Sequence, residues 1–416
     1  MTSNLITSED TRIRYSESYP ATVCPATDEK VTSQVSVATT STLFRKIVGK
    51  ANHLVLIKKT RYPITSNPIL INYSGITSIV WQSLSGEWAG AAICSAPSTG
   101  EWFVGGAADI TGKGRIFLIN SGLSDALVDV AVWSEHGLKA GKTISVKANS
   151  FARIPLDSIA AGSGRIVIRI TPRSGRVNAF LIDERNKGLH GLGGDLVNPT
   201  NFPETDIVIS GIPHQILKGK AGAHLLRILA PGTSGASIRV DVISPDGVFA
   251  PIGFDGKEIA GGSVVDLPIN PKIPAKTFSL RIRSSEPIVA GVLSGIVVAE
   301  HRDLVWNSAT PRLVPMSLAI KGLRPTIVFT GTSFSLTARI HFNNGANKVV
   351  QLKGEDIKAW KVPANATSLT FLDIKGEVHA NAVIKSVNGM ASLSLSPGST
   401  LARAAIPSSD IAVISE

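Results

Sequence analysis

Short apolar runs recur along the chain and are separated by Gly, Pro, Asn and Ser. Within residues 164–171, Ile166, Ile168 and Ile170 alternate with Arg or Val. A period of two places these isoleucines on one face of a strand and the arginines on the other. We therefore predict a strand with a buried isoleucine face and a mostly solvated arginine face, and a chain in which strands of this kind dominate.

The strand-like runs follow one another at a spacing of roughly eight to twelve residues, which is typical of β-sandwiches and barrels. The run of strands also repeats along the chain. The triplet Asp-Leu-Val that begins at Asp195 returns at Asp303, 108 positions later, and each Asp precedes a proline by eight residues. A period of this size indicates a domain repeat. The predicted fold class is all-β, with tandem antiparallel β-sandwich domains of the immunoglobulin-like type. Domains arranged in series like beads usually present binding surfaces and determine how far a protein extends.

The pattern also predicts domain boundaries. The first forty residues are rich in Ser, Thr, Glu and Asp and hold few large apolar side chains, a composition that favours disorder. We predict a disordered or weakly ordered segment (1–40), a partial or N-terminal β domain (41–100), two β-sandwich repeats (101–200 and 201–305), and a third repeat with the C-terminal tail (306–416).

The net charge of +11 adds a preference for anionic partners. Most of the charges are scattered, which indicates a solubilising surface, but one cluster stands out. It consists of Arg45, Lys46, Lys50, Lys58, Lys59 and Arg61. The cluster lacks the interleaved aromatic residues of a single-strand nucleic-acid platform, so nucleic acid is an unlikely partner. Three tryptophans form a second candidate group, either as an exposed binding surface or as packing at a domain junction. They are Trp81, Trp88 and Trp102.

Motifs that carry chemistry are missing from the sequence. Residues 137–143 resemble a phosphate-binding loop but are one residue short and lead into a strand, so a β-hairpin turn is predicted there. His190 and His301 precede Asp195 and Asp303 in the predicted inter-repeat loops, but the two spacings differ, which disfavours a shared acid–base or metal site. We predict no enzyme activity, no catalytic residue, no metal and no cofactor.

The N-terminal residues are polar and contain no signal peptide, and no later stretch is apolar for the length of a membrane span. These features alone favour a cytoplasmic soluble protein, unless the start is misplaced or an upstream anchor is missing. Cys24 and Cys94 leave two alternatives open, one disulfide in an oxidising compartment or two unrelated buried thiols.

Several short motifs together resemble a family of uncharacterised actinobacterial proteins, a domain of unknown function. The motifs are Cys94, residues 101–106, the strands at 115–120 and 128–133, and residues 194–197 with Pro203. The resemblance covers roughly residues 20 to 390. It implies secreted or membrane-anchored envelope proteins with β-sandwich repeats, and it implies a Cys24–Cys94 disulfide. The family supplies no catalytic residues, and this chain departs from it by having no anchor.

We therefore expect a non-enzymatic, extracytoplasmic protein of the cell envelope that binds or scaffolds a protein or an anionic cell-wall polymer. The alternative is a carbohydrate-binding protein or a glycoside-active enzyme that uses an interdomain cleft. The sequence leaves the oligomeric state open. The candidate binding surface comprises Trp81, Trp88, Trp102, Arg45, Lys46, Lys58 and Lys59.

Overall fold

Antiparallel strands account for most of the structure, as the alternation of apolar and polar positions predicts. The computed structural model describes residues 14–37, 42–48, 53–73, 75–200, 202–217 and 220–406. Within these ranges the strands form several antiparallel sheets, and the helical content is one turn, α1 (Asp157–Ala160). The prediction of an all-β chain built from sandwiches is confirmed.

The first unit is a sandwich of two four-stranded sheets. Its strands are β1 (Arg14–Ser18), β2 (Thr22–Cys24), β3 (Thr32–Ser36), β4 (Leu43–Lys46), β5 (Val55–Leu56), β6 (Arg61–Ile64), β7 (Ile69–Ile71), β8 (Ile76–Thr77), β9 (Ile79–Leu84) and β10 (Trp88–Ile93). The strand orders of the two sheets are β10-β9-β3-β6 and β2-β7-β4-β5, and the remaining two strands, β1 and β8, pair outside this unit. Val35 of the first sheet and Phe44 of the second are buried in one shared core.

The expectation of disorder across residues 1–40 is wrong for most of the described part of that segment. Strands β2 and β3 lie there, paired with β7 and β9, and Val23 and Cys24 are completely buried. Each strand supplies too few apolar residues to give a signal by itself, so its order depends on partners that come later in the chain. Residues 1–13 and 38–40 lie outside the described residues.

The second unit is also a sandwich. Its strands are β11 (Glu101–Val104), β12 (Arg115–Asn120), β13 (Ala126–Ser134), β14 (Gly137–Leu138), β15 (Lys142–Val146), β16 (Ser150–Pro155), β17 (Ile166–Pro172), β18 (Val177–Lys187) and β19 (His190–Val197). One sheet has the order β11-β17-β13-β14, with β15 also on β13, and the other has the order β16-β12-β18-β19. A hairpin forms beside the predicted position, but its turn lies at residues 135–136, just before residues 137–143, and β14 and β15 both pair with β13.

Strand β17 confirms the predicted isoleucine face, since Ile166, Ile168 and Ile170 are buried in the core of the second unit. The opposite face is less solvated than predicted. Val167 is completely buried because it packs against Leu229 of the third unit.

The third unit has the strands β20 (Glu204–Pro213), β21 (Ile216–Leu217), β22 (Lys220–Ala221), β23 (His224–Leu229), β24 (Ala236–Ser244), β25 (Gly247–Phe249), β26 (Lys257–Ile259), β27 (Val265–Ile269), β28 (Thr277–Val298) and β29 (His301–Ser308). Strand β28 belongs to both layers. Its first half pairs with β20 and β24, and its second half pairs with β23 and β29. The apolar side chains of both layers share one core.

The strands of the fourth unit belong to one hydrogen-bonded sheet of seven strands. Its strands are β30 (Met316–Ala319), β31 (Thr326–Phe342), β32 (Asn347–Lys361), β33 (Ala366–Lys375), β34 (His379–Lys385), β35 (Met390–Ser394) and β36 (Ala402–Ile406), and β8 supplies the seventh strand of the sheet in place of β36. One edge of β31 pairs with β32, and the other pairs with β34 and then β33. Both halves of β31 contribute to one core, with Phe329 and Ile340 buried together.

The four units form a closed ring, which corrects the expectation of beads on a string. One strand from each unit, namely β10, β19, β29 and β35, faces the centre, and each of these four inner strands lies beside the next. The first and fourth units close the ring through the parallel pair β8–β30 and the antiparallel pair β1–β36. Apolar contacts line the junctions between neighbouring units.

A disulfide joins Cys24 at the end of β2 to Cys94 just after β10, so it links the two sheets of the first unit. This confirms the pairing that the resemblance implies. Disulfides persist in oxidising compartments, which supports a non-cytoplasmic location. In the described part of the chain, no helix has the length and apolar character that crossing a bilayer requires.

Candidate functional site

The three tryptophans of the candidate binding surface are buried, so that part of the prediction is wrong. Trp81 packs in the core shared with the fourth unit, and Trp88 lies in the core of the first unit. Trp102 stacks on Trp133 with 5.1 Å between the ring centroids, where the second unit meets the third. A tryptophan buries a large apolar area, and here that area lies at the junctions and in the cores.

Arg45 also departs from the predicted surface, whereas the lysines of the group remain on it. The Arg45 guanidinium is buried against the second unit, where it donates hydrogen bonds to the Asn149 side chain and to the Ser121 carbonyl oxygen. Lys46 and the pair Lys58–Lys59 are exposed. The structure therefore separates the cluster into a buried structural arginine and exposed lysines.

A buried carboxylate at the centre of the ring connects all four inner strands. Asp303 of β29 accepts backbone N–H groups from Gly194 of β19 (3.2 Å), from Leu304 of β29 (2.8 Å) and from Met390 of β35 (3.1 Å). It also accepts the amide of Ala89 in β10. The strands are not paired with one another as a sheet, so this side chain takes up hydrogen-bond donors that would otherwise be unsatisfied.

Two further aspartates surround this carboxylate, and we call Asp183, Asp195 and Asp303 the central hub. Asp195 accepts the backbone N–H of Trp306 (2.7 Å), and Asp183 accepts the indole N–H of the same residue (2.8 Å). Arg185 forms a salt bridge with Asp183 at 2.9 Å. All three carboxylates are almost completely buried.

Burial controls the protonation of two carboxylates of the central hub, Asp195 and Asp303. It raises the pKa of Asp303 to about 7, against the lowering effect of the four backbone donors. Burial, together with the nearby charges of Asp303 and Asp183, raises the pKa of Asp195 well above its ordinary value. Asp195 and Asp303, two carboxylates buried at the same centre, therefore resist simultaneous ionisation.

The two histidines that the sequence places in inter-repeat loops lie at strand ends instead. His190 and His301 begin the strands β19 and β29 rather than lying in loops, and His301 interacts with the Asn388 carbonyl oxygen at 3.2 Å. Among the residues that the structure describes, no group of three or more His, Cys, Asp or Glu side chains is placed to hold a metal ion.

A cavity of about 370 Å³ lies at the carboxyl ends of the inner strands, and we call it the axial cavity. It is lined by Ala92, Ile93, Ser95, Gly100, Glu101, Ala179, Phe180, Leu181, Leu196, Val197, Asn198, Pro199, Thr200, Phe202, Glu204, Pro311, Ser394, Ser396 and Pro397. All four units contribute, because Ile93, Val197 and Ser394 end three inner strands and Pro311 follows the fourth.

Polar groups below this cavity tie the same strands together. The side-chain amide of Asn198 donates to the Ser392 carbonyl oxygen (2.9 Å) and to the Ala91 carbonyl oxygen (3.3 Å). The Ser308 hydroxyl donates to the Asn198 carbonyl oxygen (2.5 Å). The floor of the axial cavity is therefore fixed by hydrogen bonds between units, which pre-organises its shape.

Glu101 is the less exposed of the two ionisable residues that line the cavity. Its carboxylate accepts the Ala179 backbone N–H (3.3 Å), and a hydrogen bond from the Ser98 side chain adds a second donor. Burial nevertheless raises the pKa of Glu101 to about 7. The charged residues in the lining are Glu101 and Glu204, so the described wall carries no basic side chain in a protein with a net charge of +11.

The model of a family described as "Family of unknown function (DUF5719)" matches residues 76–360, about two thirds of the chain. The chain belongs to this family. No curated protein matches it. The match to DUF5719 covers three of the four inner strands, the central hub and Glu101, whereas Cys24 and β35 lie outside it.

For this DUF5719 chain, sequence reasoning missed the residues that organise the centre. The sequence shows Asp195 and Asp303 as parts of a repeated motif. It does not show that both side chains are buried at one place. Glu101 gave no signal, because an isolated glutamate in a strand acquires its burial only when four separate segments converge.

Proposed function

We propose that the protein is a non-enzymatic, extracytoplasmic binding protein of the actinobacterial cell envelope, and that it binds a segment of a protein partner in the axial cavity. The observation that carries this proposal is the cavity itself, which all four units build and which Glu101 makes acidic. The disulfide and the resemblance to envelope proteins support the location.

The chemistry of the lining supports a basic peptide as the partner. Proline and aliphatic side chains provide apolar walls, while the Glu101 carboxylate and the Asn198 amide are polar groups at fixed positions. Sites of this composition are typical of small or peptide ligands. A segment with a lysine or arginine side chain would pair with Glu101, whereas an anionic segment would be repelled. The cavity therefore favours a basic polypeptide over an anionic wall polymer.

The test is an array of short basic, neutral and acidic peptides, probed with the wild-type protein and two variants. We expect the basic peptides to bind best. Glu101→Gln should weaken their binding by about tenfold or more, because a charge-assisted hydrogen bond is worth about 1.5–3 kcal/mol. The matched control is Glu258→Gln, which changes an exposed glutamate on β26.

Two results would contradict the peptide proposal. One is an array on which the wild-type protein does not distinguish basic from acidic peptides. The other is equal binding by the Glu101→Gln and Glu258→Gln variants, which would place the binding surface elsewhere.

A carbohydrate ligand is the second candidate, and Phe202 is the observation that favours it. Its ring lines the cavity and is 57% exposed, as an aromatic platform for a sugar requires. Neutral oligosaccharides that bind the wild-type protein, and that Phe202→Ala releases while Phe249→Ala does not, would support this candidate. Phe249 is an exposed phenylalanine on β25.

The anionic wall polymer remains a separate proposal that concerns the basic exterior. It predicts that the protein sediments with purified cell walls and is released by salt. If no protein is retained even at low salt, this version fails without affecting the peptide proposal.

A further inference from the structure

One edge of the first unit exposes a cluster of large apolar side chains. Strand β5 is the outermost strand of the sheet β2-β7-β4-β5, and Leu43 of β4 pairs directly with Leu56 of β5. The exposed fractions are 39% for Leu43, 64% for Leu54, 49% for Val55 and 45% for Leu56. Single exposed apolar residues are ordinary, but a contiguous group on one edge marks an interaction site.

Exposed lysines surround these apolar side chains. Lys46 ends β4, and Lys58 and Lys59 follow β5 after the buried Ile57. None of the three forms a salt bridge with an acidic residue of the described chain. We call the four apolar residues and these three lysines the β4–β5 edge.

The surrounding sequence strengthens the positive charge of this edge. Residues 30–86 contain seven Lys and Arg residues and no Asp or Glu. This segment thus contributes +7 of the net charge of +11. Asp28 precedes this segment and forms ion pairs with Arg115 and Arg153 of the second unit. Residues 30–86 therefore form a segment of the first unit without any acidic side chain.

We propose that the β4–β5 edge docks the protein on the surface of an anionic lipid bilayer. Leucine and valine side chains gain free energy only where they leave water, as in the region between the headgroups and the acyl chains. Lysines at the same edge can then contact lipid phosphates while their stems lie along the apolar region.

Other occupants fit the edge less well. A hydrophilic anionic polymer would neutralise the lysines but leave the leucines in water. A second copy of the same edge would bring like charges together, since lysines on an edge strand oppose edge-to-edge pairing. Because none of these residues lines the axial cavity, this proposal is independent of the peptide ligand.

The experiment is sedimentation of the full chain with vesicles of phosphatidylcholine alone and of phosphatidylcholine mixed with phosphatidylglycerol. We expect binding to the mixed vesicles only, weakened by salt. The triple change Lys46→Ser, Lys58→Ser and Lys59→Ser should reduce the partition coefficient by about fivefold for each lysine, or about a hundredfold in total.

Matched controls distinguish this edge from the general surface. The triple change Lys348→Ser, Lys353→Ser and Lys361→Ser removes three exposed lysines from β32 and should reduce binding much less. Leu54→Ser should weaken binding several-fold at constant charge, whereas Val349→Ser, at a residue 56% exposed on β32, should not.

Three outcomes would overturn the proposal: no binding to the mixed vesicles, equal losses from the two lysine triplets, or no effect of Leu54→Ser. Retention of the wild-type protein on purified cell walls, but not on mixed vesicles, would assign the edge to the wall polymer. A dimer in light scattering that Leu54→Ser dissociates, without vesicle binding, would assign it to a second copy.

Discussion

Asp303 is the residue on which the centre of the molecule depends most. Its two carboxylate oxygens accept N–H groups from all four inner strands. Without this carboxylate, the strand edges would meet with backbone N–H donors that no neighbouring carbonyl oxygen accepts. An unsatisfied buried donor costs about 1–3 kcal/mol, so one side chain here offsets several such losses.

We expect Asp303→Ala to lower the free energy of unfolding by at least about 3 kcal/mol, because several buried donors lose their acceptor at once. Asp303→Asn should have a smaller effect, since its amide oxygen can still accept. Urea denaturation followed by tryptophan fluorescence measures both. Asp246→Ala, at an exposed position, is the control and should change stability by less than about 0.5 kcal/mol. A change in Asp303→Ala no larger than this would refute the role of the carboxylate.

Glu101 predicts a pH dependence of stability. Its pKa in the folded protein, about 7, lies above its ordinary value of 4.5. Because the folded protein binds this proton more tightly than the unfolded chain does, the group stabilises the fold most at pH values below its pKa in the unfolded chain. This contribution to stability is lost as the pH rises through about 7. The melting temperature of the wild-type protein should therefore fall between about pH 5 and about pH 8.

In Glu101→Gln the side chain cannot ionise. The free energy of unfolding should therefore decrease less between these pH values than in the wild-type protein, by an amount on the order of 2 kcal/mol. The remaining fall should come from Asp195 and Asp303, whose pKa values are also raised. Thermal unfolding of both proteins across this range measures the difference. Identical pH profiles would show that Glu101 is ionised in the folded state.

Glycines allow the inner strands to approach each other at the scale of the element. Gly193 of β19 has a φ of +115°, and a Cβ there would lie 2.6 Å from the Cα of Asp303. A Cβ at Gly389 would lie 2.5 Å from the Ala89 backbone nitrogen. Only glycine fits such contacts between backbones. These positions lie beside the acceptor carboxylate, so close approach and hydrogen bonding support each other.

The substitution Gly193→Ala should destabilise the protein by about 2–4 kcal/mol, from backbone strain and overpacking together. Gly295→Ala is the matched control on β28, where a Cβ would meet nothing within 4 Å, and it should be neutral within about 1 kcal/mol. Thermal unfolding of the two variants provides the comparison. Equal melting temperatures would mean that the inner strands can move apart at little cost.

Closure of the ring is a property of the whole molecule. The first unit meets the second through a core that includes Phe117 and Phe180, and it meets the fourth through a core that includes Trp81. Arg227 of the third unit is buried at the junction with the second, where it donates to the Gly106 carbonyl oxygen (2.7 Å) and pairs with Asp266 (2.8 Å). Such junctions favour one rigid body over four mobile units.

The disulfide should contribute to the stability of this whole. It closes a loop with a sequence separation of 70, and loop entropy predicts a contribution of about 4 kcal/mol. We expect Cys24→Ala with Cys94→Ala to lower the melting temperature clearly and to match the wild-type protein unfolded in the presence of a reductant. Free thiols counted by mass spectrometry on protein from its native cells test the bond. Two free thiols in that sample would contradict both the bond and the extracytoplasmic location.

The sequence by itself determined the strands and much of the cores. The alternating Ile166, Ile168 and Ile170 could be assigned to a buried face because a strand side chain alternates with a period of two, whatever its neighbours are. The repeat between Asp195 and Asp303 also indicated equivalent units. The alternation depends on residues close together in the chain, and the repeat is visible because the same short motif occurs twice.

Only the tertiary structure decided which surfaces are free and which residues form sites. Val167, Trp102 and Arg45 look solvent-facing or available in the sequence, yet the neighbouring units bury them. The ring, the hub around Asp303 and the cavity with Glu101 all arise where segments separated by hundreds of residues converge. A one-dimensional pattern contains no information about such contacts, because burial at a junction depends on the partner surface rather than on the residue itself.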